Sequence, residues 1–161
     1  MAAKRHSAEE RAGRLLKLSI ARNRPWKLNT SKLRRLAKKA PDSARLTAPE
    51  RLQIYYELGG LLPEAIGEGA RRPPQGWETR FRNEWDRAGG MTLSRSLLFH
   101  CRRFVSDFTV QQAKQAIAAR VCWRAIRMLC SARISQERRQ ALLDQACKPH
   151  VKAADIKQVV R

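Results

Sequence analysis

The residue types that most often do chemistry are scarce and scattered in this chain. His6, His100 and His150 lie in unrelated contexts, no glycine-rich phosphate loop occurs, and no carboxylate pair has a spacing suited to metal-assisted hydrolysis. Glu78, Glu84 and Asp86 are close together, but the arginines around them make i, i+4 surface pairing their expected role. Catalysis is therefore not expected. Cys101 falls on an apolar helical arc, and Cys122 and Cys130 sit in the mostly apolar run VCWRAIRMLC, which reads as reduced core thiols. Cys147 and His150 have a ligand-like spacing, with His100 and Cys101 as an imaginable second half. Adjacent residues on one helix point apart, however, and there is no paired CxxC, so neither a metal nor a cofactor is expected.

What the chain does carry is positive charge. Its 34 Lys and Arg against 14 Asp and Glu give a net +20. A pI near 11.3 points to a polyanionic partner. Nucleic acid is favoured over a membrane surface, because the basic residues recur on several helices and no single helix sets a broad Trp/Phe/Leu face against a lysine-rich one. No apolar run approaches the length of a membrane span, and the N-terminus lacks the hydrophobic centre of a secretory signal, so the expected location is the cytoplasm, with the chromosome if DNA is bound. The charge is uneven. Residues 1–49 hold 14 basic and 3 acidic side chains, whereas residues 50–70 hold 1 and 4. The acidic segment is expected to face the interior or a protein partner, since phosphate would repel it.

One stretch suggests how bases could be told apart. In GWETRFRNEWDRAGGMTLSRSLLFHCRRF, Trp77, Phe81 and Trp85 share a helix face and Gly89 and Gly90 stop that helix. Thr92 is the expected N-cap of a second helix, Leu93 to Val105, whose apolar arc holds Leu93, Leu97, Leu98, Cys101, Phe104 and Val105. The opposite arc presents Arg95, Ser96, Phe99, Arg102, Arg103 and Ser106. Guanidinium groups there could meet guanine edges or phosphates, and Phe99 a thymine methyl or another helix. The pair thus reads as a helix-turn-helix-like unit entering a major groove.

The elements that must position this pair follow from caps and breakers. Ser7 with Glu10 opens a thin amphipathic helix near Ala8 to Arg22, for which folding on docking and a disordered basic arm are both open. Asn29, Thr30 and Ser31 offer caps to SKLRRLAKKA, where Lys32, Arg34, Arg35, Lys38 and Lys39 surround Leu33, Leu36 and Ala37 as phosphate-tracking candidates. Thr47 and Glu50 form a capping box before a helix with Leu52, Tyr55, Tyr56, Leu58, Leu61 and Leu62, and Gly59 and Gly60 can either let it bend or let another helix approach closely. Arg71 and Arg72 lie in a proline-stiffened loop. A helix from Val110 to Ala118 leads into a run in which Trp123, Ile126 and Cys130 share a buried face and Arg120, Arg124 and Arg127 form a second positive stripe. Ser135 caps a helix burying Leu142, Leu143 and Ala146, and a short helix closes the chain. The expectation is an all-α fold, a compact domain of seven or eight short helices over residues 50–161, with a basic helical N-terminal arm over residues 1–49.

Residues 51–161 resemble the helical N-terminal domain of the YhcG-type bacterial proteins, a domain that in that family precedes a PD-(D/E)XK nuclease domain. Tyr55, Tyr56, Glu57, Leu58 and Gly59 look like its Tyr-Trp-x-x-Gly helix, with Tyr56 in place of the usual Trp. Gly76 and Trp77 match a Gly-Trp, and Cys101, Arg102, Arg103 and Phe104 match a Met-Arg-x-Phe-like helix end. Trp123 to Leu129 and Glu137 to Ala146 resemble the later Trp and Glu-x-Arg helices. The resemblance implies a helical DNA-binding module of a mobile-element, defence or regulatory system, and the binding role is carried over without the cutting role. Duplex DNA is the favoured ligand, with RNA the alternative if the chain is a backbone-binding subunit of a ribosomal or CRISPR-type ribonucleoprotein. A third reading is a protein-interaction adaptor using the acidic segment 50–70. Oligomeric state is left open.

Overall fold

The computed structural model describes residues 28–62, 76–131 and 133–160. Among them stand eight α-helices and no strand: α1 (Thr30–Lys39), α2 (Ala48–Gly59), α3 (Trp77–Arg87), α4 (Arg95–Asp107), α5 (Val110–Ala118), α6 (Trp123–Ser131), α7 (Gln136–Ala146) and α8 (Ala153–Val160), with one 3₁₀ turn at Ser43–Arg45. Caps explain most of the starts. The Asn29 side chain accepts from the Lys32 amide at 3.0 Å, and Glu50 accepts from both the amide and the hydroxyl of Thr47, at 2.9 and 2.6 Å. Thr109 and Gln112 close a second box at the head of α5, and Ser135 caps α7.

The helix α2 runs through the centre, packing on α1, α4, α5 and α6. It buries Leu52, Ile54, Tyr55, Leu58 and Gly59. The helix is central but its carboxylates are not turned to the interior: Glu50 is exposed and spent on its own cap, the half-buried Glu57 accepts from Gln53 at 2.8 Å, and Glu64 and Glu68 lie outside the described residues. Gly59 is where α2 and α4 cross, and a Cβ there would overlap the carbonyl of Cys101. Two apolar clusters flank this crossing. One joins Leu33, Leu36, Leu58, Phe81, Trp85, Met91 and Leu98. The other joins Phe104, Phe108, Ala116, Ile126, Leu129, Leu142, Leu143 and Ile156, and Trp123 packs against both.

Several expectations are corrected. Leu33, Leu36 and Ala37 of α1 are fully or almost fully buried in the first cluster, so the boundary drawn at residue 49 cuts through a packed unit. The N-cap of α4 is Ser94, not Thr92: the Ser94 hydroxyl accepts from the Leu97 amide at 3.0 Å, and the helix begins at Arg95. Arg120 is not on the helix with Arg124 and Arg127, because the chain turns between α5 and α6 with Arg120 at φ 57°. Cys122 is exposed, unlike the buried Cys101 and Cys130. The helix expected near Ala8 to Arg22, and Arg71 and Arg72, lie outside the described residues.

Candidate nucleic-acid interface

The turn between α3 and α4 is built around Trp85. Its indole N–H donates to the Met91 carbonyl at 2.7 Å, and the Met91 amide donates to the Ala40 carbonyl at the end of α1, also at 2.7 Å. Gly89 takes a left-handed φ of 78°, and a Cβ on Gly90 would overlap the indole. The Gly-Gly pair therefore lets the chain wrap one buried ring. Both helices are present, the second displaced by two residues from Leu93–Val105 to Arg95–Asp107, but each packs chiefly on another element: α3 on α1, and α4 on α2 and α6. The connection from Ala88 to Ser94 is longer than the three or four residues of a tight helix-turn-helix.

Carboxylates on this side serve arginines in pairs. Glu84 holds Arg34 of α1 at 2.7 Å and Arg87 at 3.1 Å. Its own carboxyl is held below the usual range, first by the hydrogen bond from Arg34. Glu78 holds Arg82 at 2.7 Å and Arg95 at 3.1 Å. Through these contacts α3 is tied to α1 and to the first residue of α4, and each group of three charges retains a net positive one. On α1, Lys32, Arg35, Lys38 and Lys39 are exposed, and none has a carboxylate partner among the described residues.

The outer arc of α4 divides in two. Arg95, Ser96 and Phe99 are exposed, Phe99 to 47 %. The Arg102 guanidinium lies 5.5 Å from the Phe99 ring centre, a cation–π contact that stiffens both. Burial, and then the neighbouring Arg103, lower the Arg102 pKa. Arg103 turns inward. It donates to the Cys130 carbonyl through Nε at 3.2 Å and Nη2 at 2.9 Å, and pairs with Asp107 at 2.8 Å. The expected base-facing role is not what this side chain is placed to do. Its work is to cap the carbonyl end of α6, where last-turn oxygens have no helical partner.

The remaining cations fall into separate places. Arg120 lines a recess between the α5–α6 turn and the segment after α7. Arg124 and Arg127 line a groove with His100, Trp123, Met128 and Lys157. Burial first, then Arg127 and Arg103, pull the His100 pKa below its ordinary value, which favours the neutral ring near pH 7. Among the described residues no group of His, Cys, Asp or Glu could hold a metal ion. The residue that sequence reasoning missed is Arg139. It is only 5 % exposed, donates to the Leu129 carbonyl at 3.4 Å and lies 3.9 Å from Asp107. No family model, curated protein or solved structure matches this chain. No helix of the described residues is long and apolar enough to cross a membrane.

Proposed function

We propose that the protein binds nucleic acid, with duplex DNA its preferred ligand. The observation that carries the reading is the outer face of α1: four cations on a helix whose other side is locked into the core, with no carboxylate partner among the described residues. Such a rigid row suits a phosphate backbone and gains by counterion release, without selecting sequence. Selection would fall to Arg95, Ser96, Phe99 and Arg102 on α4. Arg103 is left out because it is committed to Cys130 and Asp107. The YhcG-type resemblance supplies the setting, a mobile-element, defence or regulatory system, in which this chain contributes binding and no bond cleavage.

The test is a competition series with duplex DNA, single-stranded DNA and structured RNA, followed by random-sequence selection on the tightest ligand. The expected result is a duplex preference with a recoverable motif that Arg95→Ala or Arg102→Ala relaxes, while Lys38→Ala weakens all sequences alike. Equal RNA and DNA affinity with no motif would move the chain to the ribonucleoprotein reading, which the dispersal of positive charge over α1, α4 and α6 favours. No binding at moderate salt would leave the adaptor.

A further inference from the structure

The groove between α4, α6 and α8 is an open depression of about 430 Å³ formed by His100, Trp123, Arg124, Arg127, Met128 and Lys157. That volume is large enough for one nucleotide lying partly in solvent. Its lining holds three permanent cations and no carboxylate. Arg124 and Lys157 are exposed with no carboxylate partner among the described residues, and like charges beside one depression favour an anion between them. The floor is of another kind. Trp123 is half-buried, with Tyr55 and Phe104 packed edgewise against it at 4.6 and 6.0 Å between ring centres, so its indole is held by core residues from two helices. Met128 adds a polarisable, adaptable thioether beside it.

The groove also connects to the proposed interface. His100 lines it and makes an edge contact with Phe99 at 5.3 Å, and Phe99 carries Arg102. A strand lying along the outer arc of α4 would thus pass the mouth of a recess that combines cations with an aromatic floor. Paired bases cannot enter it, since their faces are stacked within the duplex. An unpaired nucleotide can: its phosphate suits the cations, and its base suits an indole and a thioether.

We propose that this groove seats one unpaired nucleotide next to bound duplex, with Arg124 and Lys157 on the phosphate and Trp123 and Met128 against the base. This inference rests on the nucleic-acid reading, and would make the protein's preferred ligand a duplex with a strand end or displaced base.

The experiment compares the full chain's affinity for a blunt duplex and for the same duplex carrying a short thymidine overhang. The overhang is expected to tighten binding about tenfold, the gain of one stacked base. The double variant Arg124→Gln with Lys157→Gln should lose that gain. A control that removes the same charge elsewhere, Lys114→Gln with Lys148→Gln, should keep it. Trp123→Phe, which retains a ring against Tyr55 and Phe104, should reduce the gain and remove most of the tryptophan quenching that the overhang causes. Blunt duplex bound without any overhang preference would overturn the groove assignment and leave the function standing. A preference that survives in the double variant would overturn it as well. Failure to bind either duplex would remove both.

Discussion

Asp107, at the end of α4, forms an ion pair with Arg103 and lies near Arg139, and these two guanidiniums reach the Cys130 and Leu129 carbonyls at the end of α6. A buried arginine is tolerated only when its charge and donors are answered, and removing the answering acid leaves the charge stranded. Asp107→Ala should therefore lower stability by about 3 kcal/mol. Arg103→Ala should cost about 1–2 kcal/mol through its carbonyl bonds, and Arg95→Ala less than about 0.5 kcal/mol because its pair is solvent-exposed. Urea unfolding would check the order, and a small Asp107→Ala effect would show that the knot is not holding the helix ends together. The knot was not legible in the sequence. Helical periodicity puts Arg103 on the outer arc, but a long side chain can bend to a carbonyl 27 residues away, and spacing carries no sign of that partner. Arg139 sits among polar neighbours in QERRQALLDQA and is buried for the same non-local reason.

At the scale of elements, local chemistry was legible where it was written into adjacent residues. Thr47 with Glu50, Asn29 and Ser135 all act as the caps their types suggest, and the apolar spacing of Trp77, Phe81 and Trp85 gives a helix with two of the three fully buried. The helix end at Ala118 was legible, but the turn that takes Arg120 away from Arg124 and Arg127 was not, because AIAARVCWRAI contains no glycine or proline and Arg120 takes the left-handed position a glycine would usually hold. Gly59 and Gly60 look equivalent in sequence and are not so in space. A Cβ on Gly59 meets the Cys101 backbone, which cannot move aside, whereas Gly60 has an ordinary φ of −68° and its nearest neighbour would be 3.5 Å away. Gly59→Ala should cost about 2–3 kcal/mol, while Gly60→Ala should be neutral or stabilise by up to about 1 kcal/mol. The two midpoints in denaturant give the comparison. Similar values for both variants would mean that α2 and α4 do not cross as closely as the glycine demands.

Taken whole, the chain carries a net charge of +20, and among the described residues several of its acids are engaged within the fold. Glu78, Glu84 and Asp107 bind arginines in pairs, so the acids organise the positive surface without cancelling it. Affinity for a polyanion should then be governed by counterion release, with a log–log salt slope of about −0.9 for each phosphate neutralised. If Lys32, Arg35, Lys38 and Lys39 each take one phosphate, α1 alone contributes about −3.6 to that slope. Anisotropy titrations with a random-sequence duplex across a salt series should show Lys38→Ala and Lys39→Ala each shallowing the slope by about 0.9. Arg103→Ala, at temperatures where it remains folded, should leave the slope unchanged, because its guanidinium already faces Cys130 and Asp107. A slope that changes with Arg103 but not with Lys38 or Lys39 would place the backbone contact on α4 and withdraw α1 from the interface.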